Sequence, residues 1–146
     1  MHNNMLSKFF FAIGLLAGLN AHSQEVTESL TKVGDEYLRN SDLFFRARSN
    51  KPFVIRGLLS NYTTISLGKT EEVIVIIAPE VGLRWSFNLV CPLGNLADRD
   101  HLDRLVVGKD DVVLEGAFAK NLASRSVYAT LGSGVVVEGV GCRVRN

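Results

Sequence analysis

The chain has 146 residues, 47% of them hydrophobic, with 16 basic against 15 acidic side chains, 3 histidines and 2 cysteines. That length suits a single domain. A nucleic-acid surface normally brings a clear basic excess, so nucleic acid is not expected as a partner, although a local basic patch is left open.

The first residues have the grammar of an export signal. Lys8 supplies a positive charge, 9–19 is apolar or small, and Ala21-His22-Ser23 puts small residues at the positions read by signal peptidase, so cleavage is expected before Gln24. An apolar run of about 11 is too short to span a bilayer, which needs roughly 20 residues. No cysteine lies near the cut, so a bacterial lipid anchor is not expected. Lys8 is the only charge in the leader, which makes the mature chain formally neutral. The expected organisation is a signal peptide over 1–23, an N-terminal helix and connection over 24–48, and a barrel over 49–146. No transmembrane segment is expected once the signal is gone, and the location is periplasmic or secreted. Cys91 and Cys142, an even count in an exported chain, read as a disulfide. It would close a loop of about 50 residues, worth about 4 kcal/mol of chain entropy. Paired cysteines cannot act as nucleophiles.

Val26, Leu30, Val33 and Tyr37 recur at helical spacing, with Thr27 as a cap and Asn40-Ser41 as a stop, which predicts one amphipathic helix. A polar bridge over 46–51 follows, and Pro52 ends any helix. Phe53, Ile55, Gly57 and Leu59 then share one face of a strand, with Gly57 marking a bend or bulge. Ser60-Asn61-Tyr62 reads as a connection, 63–67 and 72–78 as strand-like runs around the loop 68–71. In the second run Val73 to Ile77 are apolar on both faces, which predicts burial or a covered surface. Next comes the stretch 83–91, where Leu83, Trp85, Phe87, Leu89 and Cys91 alternate with Arg84, Ser86 and Asn88. Leu96, Leu102 and Leu105 suggest a short helix. Val112, Leu114, Gly116 and Phe118 form a strand face, 126–131 a strand extension, and Val136, Val140, Cys142 and Val144 one face of the last strand. The order reads as helix, three strands, short helix, two strands. A helix between the third and fourth of five strands is the mark of the OB-fold barrel, so the fold class is mainly β.

Several short features resemble the tRNA_anti-like group of OB-fold domains found in exported bacterial proteins. They are Glu36-Tyr37-Leu38-Arg39-Asn40 ending the helix, Val54-Ile55-Arg56-Gly57 in the first strand, and a third strand ending in Cys91. The run Asp110 to Gly116 with its alternating valines follows, then Val140-Gly141-Cys142-Arg143-Val144. Where the group has a glycine just before the aspartate, this chain has Lys109, with Gly108 one place earlier. The resemblance spans most of the mature chain, implies the OB barrel, and brings no catalytic residues or cofactor with it.

No catalytic or metal constellation emerges. His101 is the one histidine beyond the leader, and Asp98, Asp100, His101 and Asp103 match neither zinc nor calcium spacing, so they read as a solvated helix face. Gly68-Lys69-Thr70 lacks the upstream glycine of a phosphate loop, since that position is Thr63. Glu138 shares parity with Val140 and Cys142, so it would face the interior unless a bulge at Gly139 or Gly141 reverses it; a bulge is expected. What remains is a binding surface. OB barrels bind on the face of strands two and three and on the flanking loops, which here selects Tyr62, Lys69, Arg84, Ser86, Asn88, Arg125 and Tyr128. Arginines would hold an anionic or sugar group and tyrosines would stack. The expected function is non-catalytic binding of a protein, glycan or cell-envelope ligand. The alternative is an oligomeric secreted lectin resembling toxin B-subunits, its ring sealed by the run from Val73 to Ile77. The oligomeric state is left open by the sequence.

Overall fold

The structure, a computed structural model, describes residues 25–79, 87–122, 128 and 134–146. The export signal, Arg84, Trp85, Ser86 and Arg125 lie outside the described residues. The elements run β1 (Glu28–Ser29), α1 (Leu30–Arg39), α2 (Ser41–Arg48), β2 (Pro52–Leu67), β3 (Thr70–Ala78), β4 (Phe87–Leu93), α3 (Ala97–Leu102), β5 (Asp111–Phe118) and β6 (Val135–Val144).

The N-terminal region holds two helices where one was expected. Ser29, not Thr27, caps α1, its hydroxyl accepting the Lys32 N–H at 3.2 Å. Val26 precedes the helix and is exposed, while Leu30 and Val33 are buried. Asn40 serves both helices. Its backbone N–H closes α1 by donating to the Glu36 carbonyl, and its side-chain oxygen opens α2 by accepting the Leu43 N–H at 2.9 Å. Asparagine suits this junction because its short amide competes with the backbone for helical hydrogen bonds. Much of the expected polar bridge is therefore the end of α2.

The chain is mainly β. Among the described residues six strands pair in the order β1-β2-β3-β4-β6-β5, and β2 also pairs with β5, so the five longer strands return on themselves in a ring. The β4–β6 ladder is parallel, and the other four ladders of the ring are antiparallel. The sixth strand, absent from the sequence expectation, is the two-residue β1, which runs parallel to β2 with Glu28 opposite Ile55. Two residues carry no periodicity to detect.

β2 is one strand where the sequence suggested two runs joined by a turn. Its first half pairs with β5 and its second with β3. The pairing with β3 slips between Leu59 and Asn61, so a bulge absorbs Ser60 and the strand continues. Gly57 sits at this crossing. A Cβ there would stand 3.0 Å from the Ala78 carbonyl oxygen and 3.0 Å from Ile77 Cδ1, which explains a residue without one.

Alternation fills the ring interior with Phe53, Ile55, Leu59, Val73, Val75, Ile77, Phe87, Leu89, Val112, Leu114 and Phe118. Tyr37 and Phe44 from the helices cover one end, with ring centroids 5.6 Å (Tyr37–Phe87) and 6.3 Å (Phe44–Phe118) apart. In β6 the expected inward face does not hold along its length. Val137, Cys142 and Val144 point in, Val136 packs on the other side and Val140 is exposed. Gly141, at φ +60°, makes the bulge that reverses the parity, and Glu138 falls on the outer side.

Candidate binding face

The run from Val73 to Ile77 is buried on both sides because β3 has something packed on each. Val73, Val75 and Ile77 belong to the ring interior, while Ile74 and Ile76 meet Val90 of β4 on the outer side, flanked by Ile65, Val136 and Tyr128. Ile74 and Val90 are 0% exposed and Ile76 is 2%. Burying side chains of this size is worth about 1.5–3 kcal/mol each, so this second cluster is a substantial part of the fold.

Polar groups rim it. Glu72 stands opposite Ile65, and Glu138 opposite Val90. Tyr128, half-buried in the connection between β5 and β6, donates its hydroxyl hydrogen bond to Glu72 Oε2 at 3.1 Å. Burial pushes its phenol up to about 12, helped by that bond and by the negative charges of Glu72 and Glu138. The phenol therefore stays protonated and remains a donor throughout the neutral range.

Of the expected binding residues, Asn88 and Tyr128 come to this face. Asn88 shares the parity of Val90 but is only 3% exposed, engaged with its neighbours in the wall. Lys69 is exposed at the β2–β3 turn beside Gly68, whose φ is +66°. Tyr62 is turned away from the face. It pairs with Val75 and packs against the ring interior, its hydroxyl donating to Asp103 Oδ1 at 2.8 Å. That bond leads the causes that raise its phenol pKa. Tyr62 thus ties β2 to the segment after α3, and Arg99 donates to Thr64 Oγ1 at 3.2 Å in the same contact. The residues that build the face, Glu72, Ile74, Ile76, Val90, Val136 and Glu138, were not among the expected binders. For Ile74 and Ile76 the sequence signal was an apolar run on both sides of a strand.

The opposite wall is charged. Glu115 pairs with Arg143 and, at 3.8 Å, with Arg145, which also meets Glu25 at 3.3 Å. Glu25, Phe53, Glu115, Gly116, Gly141 and Arg143 line an open cleft of about 440 Å³ there. Among the described residues no three His, Cys, Asp or Glu side chains group closely enough to hold a metal ion, and no helix is long and apolar enough to cross a membrane.

A ring of β2, β3, β4, β6 and β5 with α3 leading from β4 to β5 defines an OB-fold-like protein. No family model matches the chain, and no curated protein matches it in sequence. Two solved structures do. One, described as a putative nucleic acid-binding lipoprotein from Klebsiella pneumoniae, has a TM-score of 0.58 at 14% identity, covering 88% of this chain and 98% of that one. The other is the second single-stranded DNA binding protein from Mycobacterium smegmatis. Its TM-score is 0.40 at 24% identity, over 66% of this chain and 85% of that one, too distant to bear on the fold. The first likeness is one of fold. It overturns the expectation that nucleic acid is not a partner, because a protein of this same fold is described as binding it, so overall neutrality does not remove that ligand class.

Proposed function

We propose that the chain is an exported, non-catalytic binding module built on a five-stranded OB barrel of the tRNA_anti-like kind, with β1, α1 and α2 as an N-terminal extension. The strand order supports the barrel, since β1 contributes two residues and stands outside the ring. Export rests on the leader-like residues 1–23. The non-catalytic reading rests on a single histidine beyond the leader and on the absence of any nucleophile–base spacing in the sequence.

The observation that supports a ligand face is the apolar cluster Ile74–Ile76–Val90 with Tyr128 held over it by Glu72. A protein or glycan ligand of the cell envelope would contact Tyr128 and the Lys69 turn, where exposed polar atoms border this packed support. To test it, immobilised protein is offered envelope extract beside Tyr128→Ala, Lys69→Glu and, as a control on the opposite wall, Arg143→Glu. The expected partner is retained by wild type and Arg143→Glu and lost by the other two, each checked for an unchanged melting curve. Retention by all four would place the contact elsewhere.

A second reading is nucleic-acid binding, supported by the fold shared with the Klebsiella pneumoniae protein. Fluorescence anisotropy of a labelled single-stranded oligonucleotide in low salt decides it. Binding that weakens steeply with added salt would favour this reading, and flat anisotropy at high micromolar protein would remove it.

A further inference from the structure

Cys91 of β4 and Cys142 of β6 lie inside the ring, at 0% and 2% exposure. Both are free thiols in this structure, and they are hydrogen-bonded to each other. Gly139 fixes how close they are. A Cβ on it would stand 2.6 Å from Cys91 Sγ and 2.7 Å from Cys142 Sγ, so both sulfurs crowd a single point. Gly116 crowds the pair from another side, its Cβ position lying 3.1 Å from Cys142 Sγ.

The pair also sits at a break in one of the ladders. The parallel β4–β6 register slips between Val90 and Leu93, so Cys91 and Pro92 lie in the break, and proline has no N–H to offer. Parallel pairing is slightly less stable per residue than antiparallel pairing. A covalent bond at this point would cross the seam where the ladder is interrupted.

We propose that Cys91 and Cys142 are oxidised to a disulfide while the chain is folding, before the ring closes over them, and that the bond is then a permanent staple of the β4–β6 seam. The reaction is thiol–disulfide exchange with an oxidant disulfide of the exporting compartment. One cysteine thiolate attacks the oxidant and forms a mixed disulfide, and the second displaces it. Two S–H bonds are lost and one S–S bond is formed, while the oxidant disulfide accepts two electrons and two protons and leaves as two thiols. Attack requires a thiolate and a clear approach to sulfur. The closed ring denies an approach to both buried sulfurs, and burial pushes the Cys91 thiol well up. The order of events follows from that geometry and does not depend on which ligand the module binds.

The full chain, expressed with its leader and recovered from the oxidising compartment, should be lighter by two hydrogens than its reduced form and should resist alkylation in denaturant. Two alkylatable thiols in that material would overturn the proposal. The same protein, reduced in guanidinium and refolded under reductant, is then exposed to glutathione disulfide. Oxidation of the refolded chain should be about 100-fold slower than in denaturant, where access is unrestricted. Comparable rates would overturn the order of events. Should the reduced chain fail to refold, a Cys91→Ala/Cys142→Ala variant that folds and melts lower confirms the staple, whereas one that melts at the wild-type temperature refutes it.

Discussion

Two glycines of β6 separate close contact from backbone strain. A Cβ on Gly139 would strike both sulfurs and lie 3.0 Å from Phe53 Cζ, whereas one on Gly141 meets nothing within 4 Å but must adopt φ +60°. Overpacking of this kind costs about 1–3 kcal/mol, and an alanine forced to positive φ about 1 kcal/mol. Gly139→Ala should therefore lower the urea midpoint more than Gly141→Ala. Equal losses would mean that the thiols yield freely. Both glycines were visible as bulge candidates, but which of them bends was decided by the pairing of β6 with β5, where Ala117 meets Val140 and Glu115 meets Arg143.

At the scale of elements, the N-terminal helices depend on two devices. Asn40→Ala removes the side-chain cap of α2 and should cost about 1 kcal/mol in chemical denaturation, a loss that Asn40→Ser should largely restore. Arg48 joins β1, α1 and α2 by donating to Glu28 at 2.6 and 3.0 Å and to Glu36 at 2.6 Å. The hydrogen bond from Arg48 holds the Glu28 carboxyl below its ordinary value, with burial opposing. A carboxyl lowered on folding contributes stability that is complete above its unfolded pKa and lost as pH falls through its folded one. Melting temperature should thus fall on acidification below the ordinary carboxylate range, and Arg48→Met should flatten that fall while lowering the plateau near pH 7. A variant with an unchanged acid slope would exclude this cluster as its source. Arg48 stood in the expected polar bridge, and its role became visible only once β1 and the two helices met.

For the whole molecule, the lectin alternative relied on the run from Val73 to Ile77 as the seam of a ring of subunits. Those residues are buried within one chain, none more than 2% exposed, so they present no seam to a neighbour. The purified mature protein should run as a monomer in light scattering at micromolar concentration, and a pentamer or other ring would restore the alternative. The binding face follows the same logic. Tyr128 lies 56 residues along the chain from Glu72, yet the two are hydrogen-bonded, and Tyr128 packs against the outer cluster of Ile74, Ile76 and Val90.

The ring itself was largely legible because two-residue alternation is local. Phe53, Ile55 and Leu59, then Val112, Leu114 and Phe118, announce their inward faces within a few residues, and the prolines and glycines mark the turns. The covered outer side of β3 was legible too, as an apolar run, but what covers it was not. Tyr62 and Asn88 show the limit. Parity selected Asn88 and a supposed connection selected Tyr62, but the Ser60 bulge keeps Tyr62 in β2 with its ring against the interior and its hydroxyl on Asp103, and Asn88 is buried in the wall. The sequence by itself determined the strand-rich order and most of the core, both of which depend on neighbours in the chain. Only the tertiary structure decided the register breaks and the second apolar cluster. Each of these depends on pairing between segments far apart in sequence, where a slip of one residue reverses every face.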